Sequence, residues 1–203
     1  MIKSKKQLEV ILSKLKQVES PKVELEQYPT PGILAAQVLW HAYMNDDING
    51  KIVADLGCGN GILGIGANLL DSKKTFFLDS DPSSLLIAKN NFNDLKLQNG
   101  VFLKEQVQNF NEKVDTIIQN PPFGVQNQHA DREFLKKAFE VSNKIYSFHK
   151  IESKNFIEAL IRDTNFKLKV ILKFEFPLKN TQHFHDRVVH IVKVGCFILK
   201  RNL

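Results

Sequence analysis

The amino-acid sequence predicts an α/β fold built on a mostly parallel, Rossmann-like sheet. Two observations carry this prediction. β-type apolar runs alternate with helical runs from residue 51 to residue 163, a pattern typical of parallel strands with helices on both faces. Two long β-type runs at the end, 167–176 and 188–199, have no helix between them, so we expect an antiparallel C-terminal strand pair.

Two helices are predicted before the first strand. Apolar residues recur at helical spacing over residues 5–17, which predicts an amphipathic helix that covers the core. A second helix is predicted over residues 31–44, because Thr30 can act as its N-cap and Pro31 suits the first helical position. Residues 1–45 should therefore form a helical cover.

The remaining elements alternate through the rest of the chain. Short runs rich in β-branched and aromatic residues predict strands, and longer runs with apolar residues three or four apart predict helices. The predicted strands are 51–56, 75–78, 101–104, 114–119 and 144–148, and the predicted helices are 62–70, 82–92, 132–141 and 152–163. We expect one domain over residues 1–203, with 46–203 forming the sheet and its helices.

Composition excludes several classes of protein. The chain has 203 residues, 43% of them hydrophobic, which suffices for an α/β core. It has no run of eighteen apolar residues and its first six residues are polar and lysine-rich, so we expect a soluble, cytoplasmic protein without a membrane partner. Two cysteines are too few for a disulfide framework or zinc site, and the histidines lack metal-ligand spacing, so no metal site is predicted.

Charge is distributed unevenly along the chain. Residues 1–131 carry 13 Lys and Arg against 15 Asp and Glu, whereas residues 132–203 carry 15 against 7. Such a basic part is either the polar face of an ordinary sheet or a footprint of nucleic acid. Basic residues interleaved with histidine and phenylalanine favour a phosphate-contacting loop, whose candidates are Lys179, His183, His185 and Arg187.

A glycine-rich turn follows the first predicted strand. The dinucleotide fingerprint G-x-G-x-x-G is formally matched by Gly59, Gly61 and Gly64. Asp79 follows Gly59 by 20 residues, at the end of the next strand. Asp55, just before the turn, would repel a pyrophosphate but could hold a cationic amino-acid ligand, or could simply buttress the turn. This favours S-adenosylmethionine over NAD, with Asp79 holding the ribose and Asp81 capping the next helix.

The stretch Asn120-Pro121-Pro122-Phe123 lies where the strand 114–119 meets a loop. Two prolines remove N–H donors, so their carbonyls and the Asn120 amide are acceptors, and Phe123 offers a flat apolar face. This set suits a planar amine such as adenine N6, with Asn120 and a proline carbonyl accepting its N–H groups while Phe123 stacks on the ring. Asn-Pro is also an ordinary turn starter, so the motif alone predicts a turn equally well.

Together, these motifs resemble the class I methyltransferases that act on exocyclic or amide nitrogens. Residues 26–30, 123–124 and 146–150 extend the resemblance to the small, stand-alone rRNA adenine-N6 methyltransferases of archaea and eukaryotes, over roughly residues 8–197. It implies a seven-stranded methyltransferase sheet and methyl transfer from S-adenosylmethionine to N6 of an unpaired or flipped adenine in RNA. It further implies small-subunit rRNA as the substrate and a small zinc-binding activator subunit as a partner.

The resemblance also implies which residues bind the cofactor. The segment before the second helix is expected to fold over the cofactor, although from the residues alone a rigid turn explains it as well. The expected cofactor-binding residues are Gln27, Tyr28, Thr30, Asp55, Gly57, Gly59, Gly61, Leu63, Asp79, Ser80 and Gln106. Gln106 departs from the acidic residue that this fold commonly uses for the adenine amine, so we expect weaker binding. His149 and Lys150 are expected to contact RNA near the pocket.

Two alternatives and one partner surface remain open from the sequence. Asn-Pro-Pro-aromatic motifs also serve methyltransferases of guanine N2 and of protein glutamine amides, and a non-catalytic RNA-binding assembly factor could retain the pocket. C-terminal basicity and the intact motifs favour the RNA enzyme. The segment Asn99–Lys104 should lie at a sheet edge, where the activator subunit could add a strand.

Overall fold

The computed structural model describes residues 2–18, 29–122, 130–179 and 189–202. Helices and strands alternate along these residues in the predicted order. The helices are α1 (Lys5–Leu12), α2 (Gly32–Met44), α3 (Ile62–Leu69), α4 (Pro82–Asp94), α5 (Ala130–Val141) and α6 (Lys154–Ile161). The strands are β1 (Ile52–Leu56), β2 (Lys74–Asp79), β3 (Gly100–Lys104), β4 (Thr116–Gln119), β5 (Lys144–Lys150), β6 (Phe166–Lys179) and β7 (Val189–Arg201).

The strands form one seven-stranded sheet in the order β3-β2-β1-β4-β5-β7-β6. Strands β1 to β5 are parallel, whereas β7 is antiparallel to both β5 and β6. The predicted mixed sheet with an antiparallel C-terminal pair is therefore confirmed. Chain order reverses between β1 and β4, and the crevice outside the carboxyl ends of strands at such a point is where α/β sheets bind ligands.

Apolar side chains fill both faces of the sheet. On one face, β1, β2 and β5 pack against α1, α2, α3 and α4, with Phe77 and Tyr146 among the largest buried side chains. On the other face, β1, β4 and β7 pack against α5 and α6. No helix of the described residues is long and apolar enough to cross a membrane.

The first helix is shorter than predicted. α1 ends at Leu12 instead of continuing to residue 17, although Leu15 is still buried. The cause is a set of tertiary hydrogen bonds at Lys16, whose N–H donates to Asn91 Oδ1 at 2.9 Å and whose carbonyl accepts from Asn91 Nδ2 at 3.0 Å. These bonds replace the backbone pairing that a longer helix would make.

The start of α2 also corrects the sequence analysis. The helix begins at Gly32 with Pro31 at the N-cap position, and no side chain caps it. The carbonyl of Pro31 accepts from the N–H groups of Leu34 and Ala35 at 3.0 Å each. Thr30 is therefore not the cap, and its hydroxyl is used elsewhere, at the candidate active site.

Candidate active site

Strand register brings the two main motifs to one place. Leu56 at the end of β1 is paired with Gln119 at the end of β4 and with Leu78 of β2. The glycine turn and Asn120 therefore leave neighbouring strands at the same edge of the sheet, beside Asp79. The crevice at this edge is the candidate active site.

The glycine turn is held close to β2 and needs its glycines. The N–H groups of Gly57 and Cys58 both donate to the carbonyl of Leu78, at 2.8 and 2.9 Å. Gly57, Gly59 and Gly61 have φ of +69°, +55° and +84°, a region that side chains disfavour. A Cβ on Gly59 would meet nothing within 4 Å among the residues that the structure describes, so these residues leave space beside it.

Gly64 serves packing. A Cβ on this residue would lie 2.3 Å from a ring carbon of Phe77, so only glycine lets α3 approach β2 this closely. Close approach of helix to strand is the role of the third glycine in the dinucleotide fingerprint. The match to the dinucleotide fingerprint in the sequence therefore reflects the same close approach of helix to strand.

Asp55 is a buried carboxylate with one oxygen in use. Asp55 is 1% exposed, and its Oδ2 accepts from the N–H of Gly64 at 2.8 Å. Oδ1 is buried and has no hydrogen-bond partner within the described part of the chain. Burial raises the pKa of Asp55 to about 7, although the Gly64 bond opposes this shift. Asp55 thus buttresses α3 and keeps one acceptor for a ligand.

Asp79 connects the turn to the next helix. Its Oδ2 accepts from the N–H of Gly59 at 2.8 Å, and its Oδ1 accepts from the N–H of Asp81 at 2.9 Å. Burial raises the pKa of Asp79, against the effect of these two bonds. Asp81 is the N-cap of α4, because its side chain accepts from the N–H of Ser83 at 3.3 Å. The prediction that Asp81 caps the helix after β2 is therefore confirmed.

Asn120 is oriented by the N-terminal part of the chain. Its Nδ2 donates to Thr30 Oγ1 at 3.0 Å, and its Oδ1 is buried without a hydrogen-bond partner among residues that the structure describes. Pro121 is buried and Pro122 is partly buried. The bond to Thr30 therefore fixes the amide so that Oδ1 is left to accept from a ligand. Phe123, the last predicted catalytic residue, lies outside the described residues.

The other predicted cofactor residues lie in four different places along the chain. Leu63 is 2% exposed in the first turn of α3, directly after the glycine turn. Ser80 and Gln106 follow β2 and β3 at the same edge of the sheet, Ser80 partly buried and Gln106 exposed. Gln27 and Tyr28 lie outside the described residues. Thr30 is the predicted member of the N-terminal segment that the structure describes, and its Oγ1 accepts from Asn120 Nδ2.

The predicted RNA contacts require one correction. His149 is 1% exposed and its ring packs edge-on against Phe197 at 5.7 Å between centroids. A buried ring has no surface for RNA, so His149 does not form that contact in this structure. Lys150 is partly exposed at the end of β5. Lys179 ends β6, its side chain undescribed, and His183, His185 and Arg187 lie outside the described residues.

Sequence reasoning missed the residues that fasten the N-terminal part to the glycine turn. Asn60 Nδ2 donates to the carbonyl of Lys16 at 3.1 Å, and Asn91 Nδ2 donates to the carbonyl of Asn60 at 3.0 Å. Asn60, inside the glycine turn, could have been suspected from its position. Asn91 could not, because it contacts Lys16, a residue 75 positions earlier.

Comparisons with known proteins agree with this site. The family described as Methyltransferase small domain matches residues 34–145. The rRNA N(6)-adenosine-methyltransferase METTL5 of Danio rerio is 36% identical, over 90% of this chain and 91% of that protein. Protein MJ0284 of Methanocaldococcus jannaschii is 36% identical, over 99% of this chain and 95% of its own. The crystal structure of protein PH1948 from Pyrococcus horikoshii has a TM-score of 0.91 at 39% identity and covers 100% of both chains.

The sheet order, the glycine turn after β1, the carboxylate after β2 and the Asn-Pro-Pro motif after β4 together define a class I methyltransferase. The match over residues 34–145 places the chain in the Methyltransferase small domain family. Within it, the chain belongs to the family of rRNA N6-adenosine methyltransferases, on the strength of 36% identity to the Danio rerio protein over 90% of its length.

Proposed function

We propose that this protein transfers a methyl group from S-adenosylmethionine to N6 of an unpaired or flipped adenine in RNA. The observation that carries the proposal is the buried Oδ1 of Asn120 beside the glycine turn, which has no hydrogen-bond partner among the described residues, since a fixed acceptor is what an exocyclic amine requires. The names of the relatives support RNA, and specifically rRNA, as the substrate.

The described residues fit the proposed cofactor. Oδ1 of Asp55, which the described residues leave without a partner, can pair with the ammonium group of the methionine part, and the space that they leave at Gly59 admits a ligand next to the backbone. Asp79 can accept hydrogen bonds from the ribose hydroxyls in addition to those from the N–H groups of Gly59 and Asp81, because a carboxylate has about four lone-pair sites. When bound, S-adenosylmethionine would supply a methyl group on a positively charged sulfur. The amine nitrogen would take this methyl group, and the electrons of the broken methyl–sulfur bond would stay on sulfur.

The chain contributes positioning and electrostatic stabilisation. The Asn120 Oδ1 and the Pro121 carbonyl would accept the two N–H bonds of the amine, and these bonds strengthen as positive charge develops on nitrogen. Because Thr30 holds the amide nitrogen of Asn120, the oxygen does not have to rotate into place during the reaction. The methylated nitrogen then loses its extra proton to solvent. Phe123 remains the predicted stacking residue for the extruded base.

Methylation of small-subunit rRNA is the specific form of the proposal. The test is incubation of the purified protein with small-subunit rRNA and labelled S-adenosylmethionine, followed by nucleoside mass spectrometry. N6-methyladenosine is expected, and Asn120→Ala should abolish it. Label in N2-methylguanosine or in protein glutamine would instead support the alternative methyltransferase classes. Absence of label from all three would support a non-catalytic RNA-binding role.

We further propose the edge strand β3 as the place where an activator subunit binds. Thr75 donates to the carbonyl of Asn99, and Glu105 donates to the carbonyl of Asp79, so the odd-numbered residues of this segment bond to β2. The backbone groups of Gly100, Phe102 and Lys104 then face outward, since the pairing direction alternates along a strand. Such an edge can accept a strand from a partner.

A single proline substitution tests this edge without disturbing the core. Phe102 is unsuitable, because its ring stacks on Phe77 at 4.6 Å between centroids. Lys104→Pro removes an outward N–H at an exposed position, and Lys104→Ala is the matched control that keeps it. A small zinc-binding partner should bind the alanine variant and lose affinity for the proline variant. Equal binding would exclude strand addition at β3.

Three other predictions from the sequence remain proposals. Lys150 and the segment from Lys179 to Arg187 would contact RNA phosphates, in keeping with the basic C-terminal part of the chain. The protein would act in the cytoplasm, for which the rRNA methyltransferase relatives give the support. The whole of residues 1–203 would form one methyltransferase domain.

A further inference from the structure

A buried chain of polar side chains lies next to the Asn-Pro-Pro motif. Gln119 Nε2 donates to Ser147 Oγ at 2.9 Å, and Ser147 Oγ lies 2.7 Å from His149 Nε2. His149 Nδ1 lies 3.5 Å from Asp131 Oδ2. Gln119 and Ser147 are 0% exposed, His149 is 1% exposed and Asp131 is 8% exposed. The methyl-transfer mechanism uses none of these four side chains directly.

The donors and acceptors define one direction through the chain. Ser147 Oγ accepts a hydrogen bond from Gln119, so its own proton is available for His149 Nε2. Nε2 of a neutral histidine accepts that proton when Nδ1 carries the ring hydrogen. Nδ1–H then faces the Asp131 carboxylate. The four groups thus form an ordered relay from β4 through β5 to α5, which we call the Gln119–Asp131 relay.

The relay connects the end of β4 to the start of α5. Gln119 is the last residue of β4 and directly precedes Asn120, whereas Asp131 lies in the first turn of α5, after the loop. Ser147 is paired with Gln119 in the sheet, and His149 lies two residues further along β5. One set of contacts therefore links the residue before Asn120 to the first turn of α5.

Stability alone is a poor reason for this arrangement. Four buried polar side chains cost desolvation, and apolar residues of similar size would commonly stabilise the site as well or better. Gln119 Oε1 is also left without a partner in the described ranges, a further cost. Polar relays instead fix a single geometry, since their hydrogen bonds are directional. At this place the geometry in question is that of Asn120.

We infer that Gln119, Ser147, His149 and Asp131 are positioning residues that hold Asn120 and the Pro121 carbonyl in the geometry required for methyl transfer. The inference rests on the proposed function, because it assigns these residues to the same amine-binding motif. They act through the backbone of β4 and α5 and do not touch the substrate. Loss of the relay should therefore slow the chemical step and leave the affinities for cofactor and RNA nearly unchanged.

Ser147 is the best position for the test, because its hydroxyl joins two partners. Ser147→Ala should lower kcat by about 10- to 100-fold, the effect of a small misplacement of reacting groups, with KM for RNA and Kd for S-adenosylmethionine within about threefold of wild type. Ser147→Thr keeps the hydroxyl and should restore much of kcat. Ser72→Ala is the control and should leave kcat unchanged. It removes another buried hydroxyl, which lies 2.7 Å from Thr75 Oγ1 at the edge of the sheet opposite the candidate active site.

The other end of the relay gives an independent arm. Asp131→Asn retains an acceptor for His149 Nδ1–H and should keep more activity than Asp131→Ala. Glu133→Gln removes the other carboxylate from the first turn of α5, and its partner is the exposed Lys136, so it controls for the helix charge. The Asp131 variants test the positioning role if Ser147→Ala does not fold.

The outcomes separate the inference from the proposed function. If wild type methylates RNA and Asn120→Ala does not, but Ser147→Ala and Asp131→Ala retain wild-type kcat, the positioning role is wrong. Equal losses in Ser147→Ala, Ser147→Thr and Ser72→Ala would also overturn it, because they would reflect general destabilisation. If wild type itself transfers no methyl group to RNA while it binds S-adenosylmethionine, the proposed function fails first.

Discussion

Protonation of Asp55 should control how tightly the protein binds S-adenosylmethionine. Burial raises the pKa of this carboxyl to about 7, so it is largely neutral in mildly acidic solution without ligand. A positively charged ammonium group next to the unused Oδ1 favours the ionised form and lowers the pKa in the complex. Binding therefore requires loss of a proton, and affinity should rise with pH up to about the pKa of the free protein.

The magnitude follows from that pKa. With a pKa of about 7, roughly 3% of Asp55 is ionised at pH 5.5 and about half at pH 7. If the ionised form is the one that binds, Kd should fall about 15-fold over this interval, or about 1.6 kcal/mol. Asp55→Asn keeps an acceptor for Gly64 and removes the charge. This variant should bind more weakly at pH 7 and should lose most of the pH dependence.

Calorimetric titration at pH 5.5, 6.25 and 7 in two buffers of different ionisation enthalpy would measure both Kd and proton release. Asp79→Asn is the matched control, because Asp79 is buried nearby but is proposed to hold the ribose, not the ammonium group. It should weaken binding, and the pH dependence should persist but move to lower pH, because the charge of Asp79 helps to raise the pKa of Asp55. A wild-type Kd that does not change between pH 5.5 and 7, or a dependence that persists in Asp55→Asn, would refute the reasoning.

The same carboxyl predicts the pH dependence of stability without ligand, and three further substitutions test other parts of the site. The pKa of Asp55 is about 7 in the folded chain and about 3.9 in an ordinary aspartate, so between these pH values the folded chain holds a proton that the unfolded chain has lost. The free energy of unfolding should therefore fall as pH rises from about 4 to about 7. Urea unfolding at each pH should show this fall for wild type and much less of it for Asp55→Asn. Asn120→Ala should lower the methyl-transfer rate about 100- to 1000-fold with Kd for cofactor unchanged; a wild-type rate would contradict the amine-binding role. Gly64→Ala should lower the free energy of unfolding by about 1–3 kcal/mol through overpacking against Phe77, with partial recovery in the double variant with Phe77→Leu; urea unfolding checks both. Asn91→Ala should lower it by about 1–3 kcal/mol, as expected for lost buried hydrogen bonds, and should speed proteolysis after residue 12; unchanged proteolysis would show that Asn91 does not fasten this segment.

Most of the sheet could be predicted from the sequence because local signals and topology rules agree there. Strands β1 to β5 are short apolar runs separated by helical runs, and a parallel sheet is the usual solution for this alternation. The missing helix between β6 and β7 signalled the antiparallel pair. The glycine turn, the Asp81 cap and the Asn-Pro-Pro motif were also visible, because each depends on residues that are adjacent in the chain.

The errors arose where distant residues determine the local structure. α1 ends early because Asn91 competes for the backbone of Lys16, and no local pattern indicates that contact. Thr30 looked like a helix cap, but its hydroxyl meets Asn120, 90 residues away. His149 was expected to contact RNA near the pocket, yet Ser147 and Asp131 hold it inside. Sequence patterns show the polarity of a residue but not which partner satisfies it.

The hydrogen bond between Thr30 and Asn120 also bears on fidelity. The Oδ1 of Asn120 can only accept, and the bond from Nδ2 to Thr30 keeps this oxygen in place, so it matches a target that offers N–H and opposes one that offers a carbonyl. Inosine, the deaminated form of adenosine, carries a carbonyl at the position of the amine. A site with this fixed polarity rejects such an analogue strongly, since two acceptors would face each other without a proton between them. The bond would therefore let the enzyme distinguish an intact adenine from a deaminated one before any chemistry begins.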